Sequence, residues 1–159
     1  MQTSLIWSHP FNPTARVLIE PSVWTRISEF RQDEWGKPEG GGILLGYRRD
    51  AHLHIVEATT PQAKDRRSLF GFFRRDRFHQ KVALQRWADS NETIDYLGEW
   101  HTHPELNPTP SRLDLVEWQK IYNGALPMVF VILGVNDTCW AGVSTDNSLI
   151  RSKSVLGDC

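Results

Sequence analysis

Cysteine is scarce. The chain has two in 159 residues, Cys139 and Cys159, in no Cys-x-x-Cys arrangement. Neither a disulfide framework nor a thiolate zinc site is expected, and a reducing compartment fits. An excess of charge is also lacking, with 18 Lys+Arg against 19 Asp+Glu, which excludes a polyanion binder that works through bulk charge. Long apolar runs are missing. The longest uncharged stretch, between Lys120 and Asp137, is interrupted by Asn123, Gly124, Pro127 and Gly134 and falls short of a bilayer-spanning helix. Leu5, Ile6 and Trp7 near the start, with no basic residues before them, are too few for a secretory signal, so the expected location is the cytoplasm. No repeat, low-complexity tract or Gly/Ser linker divides the chain. One domain is expected over residues 1–159, with its core at about 16–154 after a loose N-terminal lead.

Periodicity supplies the elements. Residues 15–20 predict a strand, and Val23, Ile27 and Phe30 then recur at helical spacing. Residues 43–47 and 53–57 predict paired strands, and 60–74 a loop. A second helix carries Phe78, Val82, Leu84 and Trp87, and residues 94–102 predict another strand. A third helix carries Leu115, Trp118 and Tyr122, and strands at 128–135 and 139–143 close a hairpin around Asn136-Asp137. Strands joined by turns as often as by helices predict an α+β class, a mixed sheet flanked by helices. Trp24, Trp87 and Trp118 fall on apolar helical stripes and are expected in the core, as is Trp100. Cys139 is expected as a small buried hydrophobe.

The segment rich in chemistry is Gly98-Glu-Trp-His-Thr-His-Pro-Glu-Leu-Asn-Pro-Thr-Pro-Ser-Arg-Leu-Asp114. Side chains two apart on a strand share a face, so His101 and His103 can aim at one point. Pro104, Pro108 and Pro110 force a stiff loop, which returns the chain to a helix near Ser111 with Asp114 in its first turn. Two imidazoles and a carboxylate suit a zinc ion with an open fourth position, hence hydrolysis. Alone, Ser111-x-x-Asp114 reads as an ordinary capping box. A carboxylate committed to a metal is a poorer cap, so the two roles are not expected to be fully shared.

A hydrolytic site also needs a carboxylate to carry a proton. Glu99, on the strand face of His101, Glu105 in the loop, and Glu39 before Gly40-Gly41-Gly42 are all candidates. The bare glycine backbone can approach a substrate. No Gly-Lys-Ser/Thr follows it, so it is no phosphate cradle. His9, His52, His54 and His79 lack matching ligand partners.

His101-x-His103, then Ser111 and Asp114, with upstream Glu39 before Gly41-Gly42-Ile43-Leu44-Leu45-Gly46, resemble the JAMM signature of the MPN-plus zinc metalloproteases. The resemblance extends over about residues 16–143 and implies a cytidine-deaminase-like fold. It implies one zinc ion per chain on His101, His103 and Asp114, with Glu39 activating water and Ser111 stabilising the oxyanion. Glu99 becomes structural. The activity implied is hydrolysis of peptide or isopeptide bonds at the C-terminus of ubiquitin-like proteins.

The short chain is similar to the compact prokaryotic branch. Asp65-Arg-Arg67 and His79-Gln80 look most like the JAMM proteases of bacterial CBASS antiviral operons. There the partner implied is a nucleotidyltransferase C-terminal tail conjugated to a target protein. The alternatives are a peptidase maturing a sulfur-carrier precursor and a metal-free MPN scaffold. No nucleic acid or membrane partner is expected. In the basic and aromatic residues 64–81, Arg66, Arg67, Arg74 and Arg75 are candidates for holding an extended tail, with Phe72 or Phe73 covering it and a sheet edge pairing with its backbone.

Overall fold

A computed structural model describes residues 4–157 and Cys159. Residues 1–3, part of the expected N-terminal lead, lie outside the described residues. The chain runs β1 (Leu5–Ser8), β2 (Arg16–Ile19), α1 (Pro21–Ser28), β3 (Gly41–Arg49), β4 (His52–Ala58), β5 (Arg66–Ser68) and β6 (Gly71–Phe73). It continues through α2 (Phe78–Asp89), β7 (Ile94–Thr102), α3 (Arg112–Tyr122), β8 (Val129–Leu133), β9 (Cys139–Ser144), β10 (Leu149–Arg151) and β11 (Ser154–Leu156). Nine strands form one mixed sheet in the order β10-β9-β8-β7-β3-β4-β2-β1-β11, and β5 and β6 pair apart from it. The class is α+β, as expected.

Alternation along β8 shows how the layers form. All five of its residues are buried. Val129, Val131 and Leu133 join the core that includes Val23 and Ile27 of α1. Phe130 and Ile132 point the other way, against Trp118 and Tyr122 of α3. Pro21 sits where a helix tolerates a missing N–H, in its first turn. Asn136 and Asp137 take positive φ, 54° and 62°, as a tight hairpin turn requires.

A bulge sets the face of the next strand. Leu44 of β3 faces Gly98, whereas Leu45 faces Tyr96, so Leu97 is an extra residue in β7. An extra residue reverses the side-chain parity beyond it. Leu97 and Trp100 therefore both enter the α1-side core, and Glu99 and His101 face the opposite side.

Several expectations are corrected. The N-terminal lead forms β1, with Leu5 and Trp7 buried in the core. The loop expected at 60–74 contains the β5–β6 hairpin. After β9 the chain supplies β10 to one end of the sheet and β11 to the other, joined by Ser152 and Lys153. The sheet thus curls until its end strands are successive parts of one segment. That curling brings Cys139 and Cys159 together as a disulfide, Cα atoms 5.6 Å apart. Their separation in sequence hides this proximity.

The helical stripes are corrected too. On α2 the expected apolar stripe is largely solvent-facing: Phe78, Leu84 and Trp87 are exposed and only His79 is buried. On α3 the inner stripe is Asp114, Trp118 and Tyr122, at i, i+4 and i+8, and Leu115 is exposed. Asp114 takes the place at the start of that face that Leu115 was expected to fill.

Candidate active site

His101 and Thr102 end β7 and His103 follows, all three buried. Thr102 N–H donates to Gly40 O at 2.9 Å and His103 N–H to Leu133 O at 2.9 Å, so neighbouring segments on both sides hold the backbone that carries the imidazoles. Trp118 backs His101, with ring centroids 5.4 Å apart. The two Nε2 atoms lie 3.0 Å apart. Asp114 Oδ2 is 3.3 Å from that of His101 and 3.1 Å from that of His103.

These three donor atoms fit a metal ion. A tetrahedral zinc with bonds of about 2.0–2.1 Å sets its ligands about 3.3 Å apart, close to the spacing found. His103 Nδ1 is buried without an aligned hydrogen-bond partner, and the Glu105 carboxylate stands 3.1 Å away. A carboxylate behind a ligating imidazole is a common way to orient it.

Asp114 also completes the capping box. Its Oδ2 accepts from Ser111 N–H at 2.8 Å, and Ser111 Oγ accepts from Asp114 N–H at 3.1 Å. The two roles were not expected to be fully shared; the oxygen that accepts from the cap amide is also the one that faces both imidazoles. The helix amide points at Oδ2 from behind while the imidazoles meet it from the cleft. Burial raises the Asp114 pKa, but hydrogen bonds from His101, His103 and Ser111 outweigh it and hold the group far below the carboxylate range. For His103, burial favours the neutral ring, but Asp114 beside it pulls the pKa upward.

Glu39 lines the same cleft, which encloses about 220 Å³. Gly41 pairs with His101 across the sheet, and Gly40 N–H donates to Thr102 Oγ1 at 2.9 Å. The register therefore carries Glu39 to the His103 end of the cleft. Its backbone is gripped by β5: Glu39 N–H donates to Ser68 O at 2.8 Å and Arg67 Nε to Glu39 O at 2.7 Å. Burial pushes its pKa up to about 8, against the pull of His103 and with the push of Asp114 and Glu105. A group that holds a proton this readily in the neutral range suits proton transfer.

The other candidates fall elsewhere. Glu99 Oε1 accepts from Tyr96 Oη at 2.7 Å and from Arg74 Nε at 2.9 Å, at the opposite end of the cleft from Glu39. Burial and the adjacent Glu99 raise the Tyr96 pKa. Arg67 and Arg74 thus each give part of their guanidinium to their own chain. Phe72 and Phe73 do line the cleft. The glycine run serves the protein's own packing: a Cβ on Gly41 would collide with Phe72, and one on Gly42 with Thr59 O. Phe72 of β6 and the Thr59 backbone approach the bare backbone there.

The remaining histidines lie outside the metal-binding cluster found among the described residues and are held by hydrogen bonds. His54 Nε2 lies 2.6 Å from Glu20, His52 Nδ1 accepts from Arg16 N–H at 3.0 Å, and His9 Nδ1 from Phe11 N–H at 3.3 Å. His79 bridges Thr59 Oγ1 and Asp65 Oδ2 at 2.6 Å each. Gln32 was missed: Nε2 donates to Lys37 O at 3.1 Å and Leu69 O at 2.9 Å, and Oε1 accepts from Thr102 Oγ1 at 2.9 Å. It ties the chain leading into Glu39 to the hairpin tip. A glutamine flanked by charged residues carries no sequence signal of such a role.

Residues 20–143 match the family of prokaryotic homologs of the JAB domain. The chain belongs to that family. It is similar to proteins described as CD-NTase/cGAS isopeptidases: 36% identical over 140 residues to one from Escherichia coli (strain TW11681), covering 88% of this chain and 89% of that one. Another, from Pseudomonas aeruginosa (strain BWHPSA011 / Pa011), is 46% identical over 101 residues, 62% of this chain and 64% of its own. A third, from Vibrio cholerae serotype O1 (strain ATCC 39315 / El Tor Inaba N16961), is 36% identical over 126 residues, 79% and 80%. Among solved structures, a Desulfitobacterium hafniense protein shares the fold with a TM-score of 0.59 at 17% identity, over 84% of this chain and 87% of its own.

Proposed function

We propose that this protein is a zinc-dependent isopeptidase that releases the C-terminus of a CD-NTase, or a similarly conjugated ubiquitin-like protein, from an amine of its target. The observation that carries this is the convergence of His101, His103 and Asp114 at 3.0–3.3 Å in a cleft shared with buried Glu39. The JAB family supports a hydrolase, and the names of the relatives support the CD-NTase as the conjugated partner. The setting is a CBASS-type antiviral system in the cytoplasm. Among the described residues no helix is long and apolar enough to cross a membrane.

His101, His103 and Asp114 hold the ion. Bound there, zinc supplies Lewis acidity to a carbonyl and lowers the pKa of water. Glu39 takes the proton of the attacking water and returns it to the leaving amine, from its place in the lining of the same cleft. Ser111 Oγ accepts from a helix amide, which leaves its O–H free to donate to the developing oxyanion at the positive end of α3. The cleft walls, β6 on one side and α3 on the other, confine the substrate. The β5–β6 hairpin beside the cleft offers an edge to which an extended tail adds.

The test uses a CD-NTase C-terminal peptide carrying an aminocoumarin, with elemental analysis of bound metal. About one zinc per chain and turnover are expected. Glu39→Gln keeps the zinc and loses about 10²–10⁴ in turnover. Full activity in that variant refutes the assigned proton carrier. No zinc after reconstitution favours a scaffold.

A further inference from the structure

A second groove, of about 480 Å³, lies between the loop Gln32 to Gly36 and the tip of the β5–β6 hairpin. Trp35 is fully exposed on one side and Phe70 largely so on the other, with Leu69 beside it. Large apolar side chains gathered at the surface mark interaction sites, and tryptophan is prominent among residues that dominate binding. The groove shares Phe70 and Pro104 with the metal-binding cleft, so the two are continuous. It is also anchored, because buried Gln32 bonds to Lys37 O and Leu69 O.

The two ends of the cleft are distinguishable. One is marked by Arg74 and Glu99, the other by Phe70 and Pro104, and the chain runs between them from Glu99 and His101 of β7 to Pro104. Glu39 stands at the Pro104 end by its register with β7. The group that protonates the leaving amine therefore sits beside the second groove, and the amine must depart in that direction. The acyl tail lies toward Arg74.

We propose that the groove of Trp35, Leu69 and Phe70 is the docking site for the amine-bearing target protein. The aliphatic stem of its conjugated lysine crosses Phe70 and Pro104, and the adjoining target surface rests on Trp35. Asp33 and Glu34 line the groove, which suits a surface carrying further lysines. This rests on the isopeptidase reading, and it names the part of the substrate that the tail alone does not provide.

Two probes share one CD-NTase C-terminal peptide: an aminocoumarin amide, and the same peptide joined by an isopeptide bond to a lysine of thioredoxin. Trp35→Ala and Leu69→Ala are compared with the parent enzyme after zinc content is matched. The ratio of kcat/KM for the thioredoxin conjugate to that for the aminocoumarin is expected to fall about tenfold or more in Trp35→Ala, and less in Leu69→Ala. An unchanged ratio overturns the proposal, as does an equal loss on both probes, which would put the groove on the acyl side or in the scaffold of the site. If the parent enzyme cleaves neither probe, the isopeptidase reading itself fails and this proposal falls with it.

Discussion

Two aspartate–histidine groups stand in this molecule, built from the same side chains with opposite outcomes. In one, Asp65 accepts from Gln62 N–H at 2.8 Å, Arg75 N–H at 2.8 Å, Asp76 N–H at 2.9 Å and the His79 ring at 2.6 Å. His79 also meets Thr59 Oγ1, which accepts from Ile43 N–H at 2.9 Å. The Asp65 and His79 side chains are inaccessible to solvent. Their polar atoms are matched by the chain itself, so the group is a strut joining α2 and the hairpin loop to β3. In the other, two imidazole nitrogens and a carboxylate oxygen converge on one another, and the shared point opens into a cleft. A cluster becomes a site where the fold leaves its lone pairs facing each other instead of facing donors.

Substitutions separate the two, and their effects on turnover are expected to descend in this order. Asp114→Ala removes bound zinc and reduces turnover to background, read by elemental analysis and peptide cleavage. Ser111→Ala keeps zinc, loses about 10²-fold in kcat, and lowers stability by about 1 kcal/mol through the lost cap, measured by urea unfolding. Asp65→Ala acts on stability alone, by about 3 kcal/mol, because buried donors lose their acceptor, while the zinc content of the folded protein is unchanged. A loss of zinc in Asp65→Ala with stability intact would contradict the division between strut and site.

The smallest effect is one of pH. Burial raises the Asp65 pKa, but the hydrogen bonds from Asp76, His79, Gln62 and Arg75 together bring it below its ordinary 3.8. Its contribution to stability is therefore present above the ordinary carboxylate range and lost as pH falls through the lowered value. Urea midpoints of the parent protein should fall more steeply below about pH 4 than those of Asp65→Asn.

Much of this was legible in the sequence. Ile94–Thr102 was readable as a strand from its pattern, and the spacing of His101, His103, Ser111 and Asp114 pointed to one cluster because strand parity and a helix N-terminus are local geometry. What stayed hidden was non-local. Residues 66–73 are charged and aromatic with no alternation, so the hairpin that grips Glu39 looked like a loop. The apolar residues of α2 matched a core stripe, but Arg86 pairs with Glu57 and His79 with Asp65, and these hold the helix instead. The inner position taken by Asp114 on α3 follows from its spacing to Trp118 and Tyr122, yet a carboxylate there fits no apolar template.

The pairing of β1 with β11 joins Ile6 to Leu156, nearly the full length of the chain. A protein emerging from the ribosome can assemble β3, β4 and β7 early, since their residues are synthesised close together. Its sheet stays unclosed until Leu156 leaves the exit tunnel. During synthesis Leu5 and Trp7 wait without their last neighbours until β11 has emerged.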